Sequence, residues 1–229
     1  MDNVEHPRSI KSFVVRSGRM TPGQEKAYEK LWALYGVEAD EQMLDFEHLF
    51  GRQAPVILEI GFGMGDSLLE IAASHPENNY LGIEVHKPGV GRLLANINEQ
   101  SLTNLKLMKF DAVEVLKKQV QDNSLNAVHL FFPDPWHKTR HQKRRIVQDD
   151  FIQLLRSKLL IHGQFHMATD WEHYARQMLR TMKKAPGFNN CDADGEYIPR
   201  PEYRPITKFE RRGERLGHGV WDILFEKIS

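Results

Sequence analysis

Three glycines and four acids are the residues of this chain best suited to chemistry. The glycines alternate in Glu59-Ile60-Gly61-Phe62-Gly63-Met64-Gly65, and the acids are Glu59 itself, Glu84, Asp111 and Asp134. Glycine lets a backbone turn sharply and approach a ligand closely. A carboxylate accepts several donors, so one such group can hold both hydroxyls of a ribose, and another an amine or an ammonium. Each feature also has an ordinary alternative. A glycine-rich run is often only a tight turn, and an isolated acid is often a helix cap or a solvated loop residue. Two phosphate-binding patterns are excluded: G-x-G-x-x-G needs a glycine where Asp66 stands, and no G-x-x-x-x-G-K-[ST] occurs.

Positioning these residues is the task of a repeated strand, loop and helix. Apolar runs predict strands at 56–60, 80–85, 105–110, 125–132, 164–168 and 219–226. Helical spacing appears at 67–73, 89–98, from 112 through Leu116, through Leu160 behind a cap at Asp149 or Asp150, and at 171–182. This alternation predicts a mostly parallel α/β sheet with helices on both faces. Residues 1–50 read as an N-terminal basic arm and helix ahead of a domain at 51–229. Thr21 can cap that helix and Pro22 can open it. The least regular stretch, 192–217, is expected to be a surface loop.

In such a sheet, ligands bind at the carboxyl ends of the strands. Glu59, Glu84 and Asp111 fall at successive strand ends, beside the glycines. Glu84 is placed for a ribose and Asp111 for the amine of an adenine. Glu59 can offset the ammonium of a methionine group. Together they point to S-adenosyl-L-methionine rather than a pyrophosphate ligand.

The most specific stretch is Phe131-Phe132-Pro133-Asp134-Pro135-Trp136-His137-Lys138. Its prolines remove backbone donors and stiffen a turn that holds Asp134 at a strand end. The alternative is a rigid loop with Trp136 packed beneath it. Five Lys or Arg residues and no acid lie between Trp136 and Arg145. Beside Asp134, the segment Arg140-His141-Gln142-Lys143-Arg144-Arg145 favours contact with an RNA backbone over a merely solvated loop. Asp170 is an N-cap candidate that can also contact a base. His137 and His141 have a metal-like spacing, but one cysteine and no clear third ligand argue against a metal. Trp136 and Trp171 can stack a base, although packing is their commoner role.

With these motifs in hand, the chain resembles the bacterial tRNA (guanine-N7-)-methyltransferase family. The matching residues are Arg16-Ser17-Gly18-Arg19-Met20-Thr21-Pro22-Gly23-Gln24, the glycine loop, Gly82-Ile83-Glu84-Val85-His86 and Phe132 to Lys138. They continue with His141 to Arg145, Ala168-Thr169-Asp170 and Thr207-Lys208-Phe209-Glu210-Arg211. The likeness covers nearly the whole chain, with nothing distinctive at 40–50. It implies a Rossmann-like class I methyltransferase with a seven-stranded sheet. It implies cofactor contacts at Glu59, Gly61, Gly63, Gly65, Glu84, Asp111 and Asp134, with Asp134 catalytic. It implies substrate contacts at Lys138, Asp170, Thr207, Lys208, Phe209 and Glu210. It further implies tRNA as the partner and the variable-loop guanine as the target.

Composition is compatible with this. Lys and Arg equal Asp and Glu at 31 each, so a uniformly basic coat is excluded, yet the basic residues cluster where RNA is expected. A single cysteine, Cys191, excludes an internal disulfide framework. The first 13 residues lack an apolar signal region and no apolar run is long enough to span a bilayer. The expected setting is therefore cytoplasmic, with no membrane and no obligatory protein partner. Two rivals stay open: a methyltransferase acting on another nucleobase position, such as an exocyclic amine, and a non-catalytic RNA-binding protein on the same fold.

Overall fold

A computed structural model describes residues 12–13, 18–207, 210 and 219–229. Among them, eight strands form one sheet: β1 (Gly36–Val37), β2 (Val56–Ile60), β3 (Asn79–Ile83), β4 (Leu105–Met108), β5 (Leu125–Phe131), β6 (Leu159–Thr169), β7 (Phe188–Asn190) and β8 (Trp221–Lys227). The helices are α1 (Pro22–Tyr35), α2 (Phe46–Phe50), α3 (Asp66–Ser74), α4 (Lys87–Glu99), α5 (Ala112–Lys118), α6 (Asp149–Lys158) and α7 (Glu172–Lys184). A 3-10 segment, Thr139–Arg144, lies between β5 and α6.

The strands run in the order β1-β4-β3-β2-β5-β6-β8-β7. β8 is antiparallel to both its neighbours, and the other pairs are parallel. Side chains of β2 alternate between two apolar layers. Val56, Leu58 and Ile60 pack with residues of α5, α6 and α7, whereas Ile57 packs with α3 and α4. The expected α/β architecture is present, with eight strands instead of seven. β1 and β7 span two and three residues, too few to show an apolar alternation.

Local rules explain the boundaries. Thr21 and Gln24 form a reciprocal capping box: the Gln24 amide donates to Thr21 Oγ1 at 3.3 Å, and the Thr21 amide donates to Gln24 Oε1 at 2.8 Å. Helix α4 buries Val90, Leu93, Leu94 and Ile97 on one stripe. The helix cap expected at Asp149 or Asp150 is at Gln148, and both acids lie in the first turn of α6. There their charge still complements the helix dipole.

The described part of the N-terminal segment is built into the body. A Cβ on Gly91 would stand 2.6 Å from Met20 Cε and 2.8 Å from the Gln24 carbonyl oxygen, so α1 rests closely on α4. Gly36 then leads directly into the sheet edge, pairing with Leu107. No helix among the described residues is long and apolar enough to cross a membrane.

Strand order reverses between β2 and β5. The chain leaves β2 toward β3 and β4 on one side, then returns to lay β5 and β6 on the other. A crevice opens at that reversal, beyond the carboxyl ends of the strands.

Candidate active site

A cavity of about 520 Å³ occupies this crevice. Its wall includes Gly61, Gly63, Glu84, Asp111, Phe132 and Asp134. The glycine loop forms it for a conformational reason. Gly61, Gly63 and Gly65 have φ of 75°, 59° and 81°, the left-handed region where a side chain is strained. A Cβ at Gly61 or Gly63 would meet nothing within 4 Å, so these two leave open space. Gly65 differs: a Cβ there would press on Leu93 at 2.7 Å, so it serves the approach of α3 to α4.

Glu84 holds the loop from the next strand. Its Oε2 accepts from the Gly63 amide at 2.8 Å, and its Oε1 accepts from the Val85 and His86 amides at 2.6 and 2.9 Å. Asp111 caps α5 by accepting from the Val113 amide at 3.0 Å while lining the cavity. Glu59 is only 3% exposed and stands behind the cavity wall. Burial, and then the charge of Glu84, push its carboxyl up to about 8.

After β5 the backbone is held in an unusual shape. Phe132 and Trp136 have φ of 51° and 46°, values that cost a non-glycine residue ~1–3 kcal/mol each. Between them Asp134 is exposed at the cavity wall. The Phe132 amide donates to the Ala168 carbonyl at 2.7 Å, and Trp136 Nε1 donates to the Ser12 carbonyl at 3.1 Å. Ser12 and Phe13 thereby close one side of the cavity, a role their sequence does not signal.

Residues 53–223 match a protein-family model described as "Putative methyltransferase". A tRNA (guanine-N(7)-)-methyltransferase of Hydrogenovibrio crunogenus is 57% identical over 99% of this chain and 95% of that protein. One from Escherichia coli K12 is 60% identical over 97% of this chain and 93% of its own length. The chain belongs to the tRNA (guanine-N7-)-methyltransferase family. Solved structures agree on the fold. The 16S rRNA methyltransferase KamB superposes with a TM-score of 0.60 at 16% identity, over 82% of this chain and 94% of that one. TrmN from Thermus thermophilus gives 0.54 at 13%, over 90% of this chain and 48% of that one.

The residues expected to contact RNA and substrate are not all equally available. Lys138, Arg140 and Lys143 are exposed, and His141, Gln142 and Arg144 are half-buried. Arg145 differs from its neighbours: it is 1% exposed and turned into the protein. Asp170 is exposed, and Trp171 rather than Asp170 occupies the N-cap of α7. Lys208 and Phe209 lie outside the described residues.

Glu210 is buried as well. Its carboxylate is 3% exposed and spent on structure. Arg204 donates to both its oxygens, the Thr207 amide donates to Oε2 at 3.1 Å, and the Glu210 amide donates to Thr207 Oγ1 at 3.1 Å. Thr207 and Glu210 are therefore the two ends of a capping box, a T-x-x-E signature legible in sequence.

Beneath that segment runs a buried polar row that the periodic pattern concealed. Glu59, His129 and His166 stand in register on β2, β5 and β6. Burial, then the neighbouring His166, push His129 down to about 3. His166 bonds Asp222 Oδ1 at 2.8 Å and the Tyr203 hydroxyl at 2.7 Å, and Asp222 also accepts from Arg204.

Proposed function

We propose that this chain transfers a methyl group from S-adenosyl-L-methionine to nitrogen 7 of guanine in tRNA, the variable-loop guanine being the target. The observation that carries the reading is the placement of exposed Asp134 on the wall of the strand-end cavity, next to the outward cations Lys138, Arg140 and Lys143. The names of the 57–60% identical relatives support the same reaction.

The site fits the cofactor. About 520 Å³ suits a nucleoside-sized ligand, and the missing Cβ atoms of Gly61 and Gly63 leave backbone surface for it to rest on. Glu84 would hold the ribose and Asp111 the adenine amine. Glu59 backs the loop from inside. When bound, the cofactor supplies an electrophilic methyl on a sulfonium.

Nitrogen 7 of guanine has a free lone pair, so no proton has to leave it. The chain's task is then to orient the base, where fixed geometry contributes ~7–11 kcal/mol. Asp134 accepts the N–H groups of the guanine edge and stabilises the positive charge growing on the ring. It is a positioning and electrostatic group that contacts substrate, not an obligatory base. The exposed cations receive the phosphate backbone.

Nucleoside mass spectrometry of tRNA incubated with the enzyme and labelled cofactor tests this. The expected product is 7-methylguanosine, lost when the variable-loop guanine is replaced by adenine. Label on an exocyclic amine would favour another nucleobase specificity. Cofactor binding without transfer would favour an RNA-binding role. Asp134→Asn is expected to slow methyl transfer about 100-fold, and full activity in that variant would remove the role assigned to Asp134.

A further inference from the structure

We propose that Arg145 positions Asp134 for methyl transfer, by fastening the turn that carries it to helix α7, and is not an RNA contact. The inference rests on the reading of Asp134 given above. In sequence Arg145 is the last member of a basic run and looks like its neighbours. In space it separates from them. Lys138, Arg140 and Lys143 are exposed, and Arg144 lays its guanidinium 4.9 Å from the centroid of Trp136. Arg145 turns inward to 1% exposure.

Its contacts join two elements. Nε donates to the Pro135 carbonyl at 2.8 Å, one residue beyond Asp134. Nη1 donates to Gln177 Oε1 at 2.6 Å and lies 3.1 Å from His173 Nδ1, both residues of α7. The guanidinium rests 4.6 Å from the centroid of Tyr174, also of α7. The attachment is doubled just downstream: Gln177 Nε2 donates to the Val147 carbonyl at 3.2 Å, and the Val147 amide donates to the Tyr174 hydroxyl at 3.4 Å.

The turn needs such an external hold. Pro133 and Pro135 have no amide hydrogens with which to tie it down. Left-handed φ values at Phe132 and Trp136 bracket it, so the bare chain would relax elsewhere. A planar, forked guanidinium reaches a carbonyl and an amide oxygen in fixed directions, which a lysine ammonium does not. Losing that hold lets Asp134 shift relative to the cavity, and a displacement of about 1 Å is enough to lose two orders of magnitude in rate.

Two variants test this in the full-length enzyme, against tRNA transcript and S-adenosyl-L-methionine. Arg145→Lys keeps the charge and loses the fork. Gln177→Met leaves Arg145 in place and removes one of its anchors on α7, the Gln177 acceptor. The measurements are the single-turnover rate of methyl transfer per tRNA-binding-competent enzyme, and tRNA affinity by filter binding from 50 to 200 mM salt. The expected result is a rate lowered about 10- to 100-fold in Arg145→Lys and several-fold in Gln177→Met. tRNA affinity and its salt slope should stay within twofold of wild type. A merely structural role would lower the fraction of competent enzyme but not its rate. Unchanged rate in both variants overturns the proposal. So does a weakened, less salt-dependent tRNA affinity in Arg145→Lys, which would make Arg145 a phosphate contact. Should Arg145→Lys fail to fold, Gln177→Met decides alone. Wild-type enzyme that forms no 7-methylguanosine would instead overturn the reading of the reaction.

Discussion

Arg204 and Glu210 meet inside the protein through two parallel hydrogen bonds, Nη1 to Oε2 at 2.8 Å and Nη2 to Oε1 at 2.7 Å. Arg204 also donates twice to Asp222, on β8, through Nε at 2.6 Å and Nη2 at 2.7 Å. Burial works to lower the pKa of Arg204, but the two carboxylates outweigh it and raise it, so its charge is secure. The capping box of Thr207 and Glu210 is thereby riveted to the sheet.

Removing one member of this cluster strands the others. Arg204→Met should destabilise the protein by ~3–5 kcal/mol, because two buried carboxylates lose the guanidinium that neutralises them. Urea unfolding measures it, and a loss below about 1 kcal/mol would show that the cluster is not an anchor. Glu210→Gln should slow tRNA methylation while cofactor affinity stays within twofold, since Glu210 lies outside the cavity wall.

Glu84 should control cofactor affinity through the backbone it gathers. Glu84→Gln turns one acceptor into a donor facing amide hydrogens, and each charge-assisted bond lost is worth ~1.5–3 kcal/mol. Calorimetric affinity for S-adenosyl-L-methionine should fall by at least about tenfold. Gly89→Ala should act in the same direction without being on the cavity wall, because its Cβ would collide with the Gly63 carbonyl oxygen. Unchanged affinity in both would separate the loop from cofactor binding.

With Arg145 withdrawn, the segment offers Lys138, Arg140, Lys143 and Arg144 to phosphates. Each neutralised phosphate adds about 0.7–0.9 to the salt slope, so this segment should contribute roughly −2.8 to −3.6 to the slope of log affinity against log salt. Alanine at Arg140 or Lys143 should make the measured slope shallower by about 0.7–0.9. A slope indifferent to both substitutions would place the RNA elsewhere.

The buried carboxyl of Glu59 predicts a pH effect on stability. Its folded pKa is about 8 against an ordinary 4.5, so the folded state binds the proton more tightly than the unfolded chain. The stabilisation is fully present below 4.5 and is lost as pH rises through about 8. Glu59→Gln has no such proton to lose. Relative to wild type, its unfolding free energy should rise by roughly a few kcal/mol between pH 5 and pH 9. A difference that stays flat with pH would refute the raised carboxyl.

Much of the fold was legible because burial imposes periodicity. β2 was expected at 56–60 and spans Val56–Ile60, and α4 carries its apolar stripe where the spacing placed it. β1 and β7 were not legible, since two or three residues hold no pattern and are selected by the sheet edges they meet. Asp170 looked like a cap by type, but the chain enters α7 one residue later.

The sequence by itself determined the strand and helix alternation, the glycine loop and the acids at successive strand ends. These depend on backbone freedom and on local spacing, which neighbours in the chain decide. Only the tertiary structure decided which members of one basic run face solvent and which face the core. Arg144 and Arg145 are adjacent and chemically identical, yet one lies over Trp136 and the other bonds Pro135 and Gln177. The same holds for Glu210, whose type gives no sign that Arg204 engages both its carboxylate oxygens. Charge is a property of the residue type. Whether that charge meets water, ligand or a buried partner depends on groups distant in the chain, here α7 for Arg145 and β8, through Asp222 and Arg204, for Glu210.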